Sequence, residues 1–186
     1  MGETRNLRKQ ALRRVHQARR SGDVKSLLNI ATRDPDQLAR SVAIRALGVR
    51  REAAAVEPLR RLLHSADFGV RLVTIRALGR IGDPQVGDDL YRLATNDACH
   101  RGIRETAVAA LLQMGDRRAV PVLAQFVVSD QFSRRESRWA MKKLRAHRGF
   151  EAIPLLRTGG SRRFGLIDRM RLNLLIRALE THVTGD

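Results

Sequence analysis

Arg76-Ala77-Leu78-Gly79-Arg80-Ile81-Gly82-Asp83-Pro84-Gln85-Val86-Gly87-Asp88-Asp89-Leu90 is the stretch on which the fold of this chain turns. Gly82 is a residue that takes the left-handed conformation closing a helix. Asp83 offers an acceptor to the free N–H groups of a following helix, and Pro84 loses nothing by lacking an N–H in a first turn. One helix therefore ends and another begins within a few residues.

The same pattern recurs along the chain. Arg76-Ala77-Leu78-Gly79 aligns with Arg45-Ala46-Leu47-Gly48, with Ala109-Ala110-Leu111-Leu112 and with Lys142-Lys143-Leu144-Arg145, so the leucines stand at 47, 78, 111 and 144, in steps of 31, 33 and 33. A second column, Leu59, Leu90, Leu123 and Leu156, repeats the same steps. Extended back by one step, the second column lands on Leu28, and the first places Leu7, Ala11, Leu12 and Val15 in the slots of Leu38, Val42, Ala43 and Ala46. A period in this range is the mark of a repeat architecture in which each unit buries its apolar face only against its neighbours.

Within a unit the apolar spacing is helical, as in Leu38, Val42 and Ala46 and then Val56, Leu59, Leu62 and Leu63. Stop signals are read at Gly48, at Gly79 with Gly82, at Gly115 and at Gly149, and Asp34-Pro35 repeats the start signal of Asp83-Pro84. Helices are expected at about 5–20, 24–32, 36–48, 53–64, 68–80, 85–95, 101–114, 118–129, 133–147, 150–157 and 164–182. The fold class expected is all-α: a single repeat domain over 1–186 with units at about 4–33, 34–64, 65–95, 96–129 and 130–158, closed by a capping helix at 164–182.

Val70-Arg71, Ala77-Leu78-Gly79 and Ile81-Gly82-Asp83-Pro84, followed by Met114-Gly115-Asp116, Ala119-Val120-Pro121 and Leu123, resemble HEAT repeats of the short phycobilisome-lyase type. The resemblance is good over residues 34 to 130. It implies a right-handed α-solenoid of about five HEAT-like helix pairs, and a binding scaffold more than an enzyme, because its motif consists of packing and capping residues. The end units depart from the pattern, with His16 in a leucine slot and Glu136-Ser137 in place of the Val-Arg pair, as capping units of solenoids commonly do. In the resembled family the arginine at Arg40, Arg71 and Arg104 pairs with a loop acid of its own or the next unit, for which Asp36, Asp67 and Asp97 are available. These three arginines are read as a structural ladder.

Composition bounds the function. The chain has 186 residues, 43% of them hydrophobic, which is enough for a core, and 36 Lys+Arg against 19 Asp+Glu give a net charge of +17. Nearly all the positive charge is arginine, which offers paired donors to carboxylate or phosphate. No window approaches the run of apolar residues needed to cross a bilayer, and the one cysteine, Cys99, forms no intramolecular disulfide, so a cytoplasmic place is expected. No metal-ligand spacing, cofactor motif or catalytic constellation is present: His16, His64, His100, His147 and His182 share no column, and the adjacent Cys99-His100 lacks a third member. The chain is read as a non-enzyme without cofactor or metal. One Trp and one Tyr are too few for the aromatic surroundings of a glycosylase-like site, and a repeat-type lyase or glycosylase-like enzyme ranks last.

Candidate binding residues fall in three groups. Arg14, Arg45, Arg76 and Lys142 stand two residues before the column leucines, where a side chain points outward. Arg134, Arg135, Arg138, Lys142, Lys143 and Arg145 form the densest basic cluster, with Trp139 among them. Arg162 and Arg163 follow Gly159-Gly160-Ser161 before the last helix, in a plausible phosphate cradle or a plain linker. Val120 to Val128 is apolar nearly all round, so it is either deeply buried or a docking patch, and the last helix is more apolar than one buried stripe requires. The partner expected is an acidic protein surface or larger complex, with the DNA or RNA backbone as the alternative.

Overall fold

A computed structural model describes residues 2–129, 131–159 and 166–181, with side chains from 6 to 129, 131 to 159 and 168 to 181. Among the described residues there are eleven α-helices and no strand: α1 (Gly2–Ser21), α2 (Val24–Arg33), α3 (Gln37–Val49), α4 (Val56–Leu62), α5 (Phe68–Ile81), α6 (Gly87–Thr95), α7 (Arg101–Met114), α8 (Ala119–Val128), α9 (Arg134–Ala146), α10 (Ile153–Gly159) and α11 (Leu166–Glu180). Short 3-10 turns, Ala53–Ala55, Pro84–Val86 and Phe150–Ala152, lead into α4, α6 and α10. The chain forms two compact units, Met1–Arg92 and Leu93–Asp186.

In the first unit α1, α3 and α5 stack in order, α2 packs on α1 and α3, and α4 packs on α2 and α5. In the second, α7 and α9 pack on α8, α10 packs on α8, and α11 packs on α9 and α10. These are stacked helix pairs of the HEAT kind, and α11 takes the place that the first helix of a further pair would occupy against α9. The leucines of both sequence columns, 47, 59, 78, 90, 111, 123, 144 and 156, are all at 0% exposure. Each contributes roughly 1.5–3 kcal/mol by leaving water, which makes these leucines the centre of the core in each unit.

The helix starts form a column of their own. Asp36 accepts from the Ala39 N–H (2.8 Å) and Asp67 from that of Val70 (3.0 Å). His100 Nδ1 accepts from the Gly102 N–H (3.0 Å), and Ser133 from that of Glu136 (3.3 Å), with Glu136 returning the bond in a capping box. Each acceptor relieves N–H groups that a helix start leaves without partners. Asp34-Pro35 does not serve this purpose as the sequence suggests: Asp34 closes α2, Pro35 lies in the loop, and Asp36 is the cap.

The helix stops correct the sequence more sharply. Gly82 and Gly115 take φ of 78° and 73° as expected, but the matching positions after α3 and α9 are Arg51 (φ 52°) and Arg148 (φ 50°), not Gly48 and Gly149. Gly48 lies buried inside α3, where an added Cβ would come within 2.7 Å of both Cα and Cβ of Ala77 on α5. It is the contact that lets two helices approach, not a stop. Gly79 likewise lies inside α5. The first repeat is also out of step: Leu27 is fully buried in place of Leu28, and Ala11, Val15 and Ala18 form the inner stripe of α1 while Leu7 is 60% exposed.

Candidate partner-binding surface

The ladder arginines close the loops that precede their own helices. Arg40 donates Nη1 to the Asp34 carbonyl (3.2 Å) and reaches Asp67 with Nη2 (3.4 Å), so its acid is the cap of the next first helix. Arg71 donates Nε to the Leu63 carbonyl (3.1 Å). Arg104 donates Nη1 to the carbonyls of Asp97 (3.2 Å) and Cys99 (2.9 Å), and its acid is not Asp97 but Glu136, with Nη2 to Oε1 at 2.5 Å. The Arg104 guanidinium carbon stands 5.3 Å from the centre of the Phe132 ring, which stacks on Phe126 at 4.1 Å.

Glu136 and Ser137, the pair that breaks the family pattern, thus keep its function by other chemistry. Glu136 supplies the carboxylate for Arg104. Ser137, in the ladder slot, donates its hydroxyl to the Phe126 carbonyl (2.9 Å), a short bond in place of a long arginine. Burial pushes the Glu136 carboxyl up, but the N–H and hydroxyl of Ser133 and then the Arg104 guanidinium pull it further down, below the usual glutamate range.

The outward arginines have separate fates. Arg14 is committed to the buried Asp34 carboxylate (Nη2 to Oδ2, 2.9 Å), which ties α1 to the end of α2. Its own side chain remains 62% exposed. The residue beside Arg45 on α1 is instead Arg19: Arg19, Arg45 and Arg50 surround Val42, Ala46 and Val49 in a groove of about 380 Å³ between α1 and α3. Arg76 is exposed on α5.

In the second unit Arg134, Arg135, Arg138, Lys142 and Arg145 are exposed on α9, and Lys143 is half-buried with Nζ 5.9 Å from the Trp139 ring centre. Trp139 leans on Phe126 (6.2 Å between ring centres) and is half-buried, so it belongs to the edge of the core. Arg138, Lys142 and Arg145 come together with Arg171 of α11 around Met141, Leu174 and Leu175, in an open groove of about 360 Å³. Arg171 and the apolar floor were missed by the sequence reading. Their only signal was the surplus of apolar residues on the last helix, of which Leu172, Leu175, Ile176 and Leu179 are buried while Met170 (58%) and Leu174 (63%) stay exposed. Arg162 and Arg163 lie outside the described residues, as do Gly160 and Ser161. Gly159 ends α10 against Val128. The apolar segment from Val120 to Val128 is buried on Val122, Leu123, Ala124, Phe126 and Val127, which settles it as core.

His100 is occupied as a helix cap, and the neighbouring Cys99 is half-buried with its carbonyl held by Arg104. Among the described residues no three His, Cys, Asp or Glu gather as a metal would require, and no helix is long and apolar enough to cross a membrane.

Comparison with known proteins places this architecture. Residues 24–101 match HEAT repeats, and residues 103–129 match the PBS lyase HEAT-like repeat. No curated protein matches the chain in sequence. Among solved structures, the complex of CpcE and CpcF of phycocyanin lyase from Nostoc sp. PCC7120 is similar with a TM-score of 0.60 at 20% identity, covering 88% of this chain and 65% of that one. This chain thus spans just under two thirds of the length of that relative. An engineered protein solved by the Northeast Structural Genomics Consortium is similar with a TM-score of 0.56 at 18% identity, covering 90% of this chain and 83% of that one. At such identities the likeness concerns the fold alone.

Proposed function

We propose that this protein is a non-enzymatic HEAT-repeat scaffold, cytoplasmic, that uses a basic surface to hold an acidic protein partner. The observation that carries this reading is the groove between α9 and α11, where cations rim an apolar floor of Met141, Leu174 and Leu175. A protein interface needs a desolvated apolar centre with charges at its edge, whereas a phosphate backbone needs the charges alone. Trp139, the ring within the basic cluster, is drawn against Phe126 rather than standing free to stack on a base. The similar solved structure is a complex of two proteins, CpcE and CpcF, and assembly with another protein is the property carried over here.

Salt dependence tests this against the nucleic-acid alternative. The nuclease-treated protein is titrated with a labelled random duplex and a single strand between about 50 and 200 mM salt, where a binder of many phosphates loses about 10³–10⁵ in affinity. The scaffold reading expects weak binding to both at the upper salt. Tight, sequence-independent binding there, removed by charge reversal on α9, would put nucleic acid in its place. A lyase reading would require turnover by the purified chain, which an activity assay would read directly.

A further inference from the structure

We infer that the groove between α9 and α11 is the seat of an acidic amphipathic helix, with its apolar stripe on Met141, Leu174 and Leu175 and its carboxylates against Arg138, Lys142 and Arg145. This rests on the reading of an acidic protein partner and names the chemistry of that partner.

The floor is built for it. Met141 (7% exposed) and Leu175 (5%) form its base, and Leu174 (63%) rises beside them, continued along α11 by Met170 (58%). A thioether among leucines adapts to whatever apolar side chain meets it. The rim is spaced to match: Arg138, Lys142 and Arg145 stand four and then three residues apart, so they line about 10 Å of one edge over two turns of α9. Among the described residues no carboxylate lies within ion-pair distance of these three, and the one hydrogen bond of Arg138 goes to the Arg134 carbonyl (3.3 Å). Arg171 on the facing edge pairs with Asp168 of its own helix at 3.3 Å. Like charges stacked at this spacing repel one another, and carboxylates arriving at the same helical spacing remove that repulsion.

Other occupants fit less well. A second copy of this chain would bring more cations to the cations, since 36 basic residues face 19 acidic ones. A nucleic acid would satisfy the rim without using the apolar floor, and an anionic lipid surface, which is flat, would take the exposed Met170 and Leu174 without needing a groove. The α1–α3 groove has a comparable rim in Arg19, Arg45 and Arg50, but its floor is made of the smaller Val42, Ala46 and Val49. That makes it an internal comparison.

The test uses the full chain and a labelled peptide of about 18 residues made of Glu, Ala and Leu, with leucines at i, i+3, i+4 and i+7. A second peptide of identical composition has its leucines dispersed around the helix. The groove predicts that the amphipathic peptide binds about tenfold or more tighter than its isomer, that Lys142→Glu and Leu174→Ser each weaken it about tenfold, and that Leu174→Met and Arg45→Glu change it less than about threefold. Lys142 and Leu174 are exposed, so circular dichroism should report unchanged helix content in both variants. Equal binding of the two peptides with a silent Leu174→Ser overturns the groove while leaving an acidic protein partner standing. Loss with Arg45→Glu but not with Lys142→Glu moves the site to the first unit. If neither peptide binds while a random duplex or vesicles rich in anionic lipid do, the groove and the scaffold reading both fail.

Discussion

The guanidinium of Arg104 and the carboxylate of Glu136 meet at 2.5 Å with both side chains buried, joining the first turn of α7 to the first turn of α9 across 32 residues of sequence. Each partner has further bonds: Arg104 holds two carbonyls of the loop before α7, and Glu136 holds the N–H and hydroxyl of Ser133. A buried pair of this kind contributes little over an apolar replacement, but removal of one partner strands the other. Arg104→Leu should therefore cost about 3–5 kcal/mol in chemical denaturation, and Glu136→Leu a similar amount. The double replacement Arg104→Leu with Glu136→Leu should cost clearly less than the sum. Additive losses would mean the two do not act as a pair.

The same carboxylate sets an acid limit. The folded protein holds Glu136 below its ordinary range, so its contribution is complete above the unfolded value of about 4.3 and is lost as pH falls through the folded value. Glu136→Gln should flatten the fall of stability below about pH 4.3 relative to the unaltered protein. Identical acid unfolding curves would show that the carboxylate is not the group being protonated.

How much of this was legible in the sequence depended on whether the signal was local. Leu47 and Leu78, repeated at a fixed period, announced a helix stack because a buried leucine column is the defining requirement of such a fold. Gly82 and Gly115 announced their turns because glycine is the residue that accepts positive φ without strain. Arg51 and Arg148 occupy the same turns with no signal in their own chemistry; only their place in the repeat could have marked them. Glu136 read as a loss of pattern because its partner is distant in sequence and close in space. The groove was half legible: Arg138, Lys142 and Arg145 share a face of α9 by spacing alone, while Arg171 and Leu174 join them only through the packing of α11 on α9.

Arg51 and Arg148 hold a conformation that costs an L-residue with a Cβ roughly 1–2 kcal/mol. The equivalent positions Gly82 and Gly115 do not carry that cost. Arg51→Gly and Arg148→Gly should each raise stability by several tenths to about 1 kcal/mol, the gain being offset by the greater freedom of glycine in the unfolded chain. Gly115→Ala should lower it by a comparable amount. Thermal unfolding of the three variants checks the order, and a loss of stability with Arg51→Gly would show that its side chain holds the turn.

Gly48 presents the opposite case. Inside a helix, alanine is favoured over glycine by about 1 kcal/mol, so an exposed glycine there would be improved by Gly48→Ala. Here the new Cβ would meet the backbone of Ala77 at 2.7 Å, which no rotamer change relieves, and α3 and α5 must separate. Overpacking of this order costs about 1–3 kcal/mol and outweighs the propensity gain. A lower midpoint in urea is expected, and a rise would mean the two helices yield without cost.

The rim of the α9–α11 groove allows function to be separated from folding. Arg138, Lys142 and Arg145 are exposed and stand among like charges, so Lys142→Glu places a carboxylate one turn from Arg138 and three residues from Arg145. Pairs of that spacing contribute about 0.2–0.5 kcal/mol each, so the variant should unfold at the same temperature as the unaltered protein or slightly above it. Reversal of all three, Arg138→Glu, Lys142→Glu and Arg145→Glu, should leave helix content unchanged and abolish capture of an acidic partner. Stability that rises while binding falls is the signature of charges kept for a partner at some cost to the fold. Binding and stability that fall together would instead make these cations part of the packing between α9 and α11.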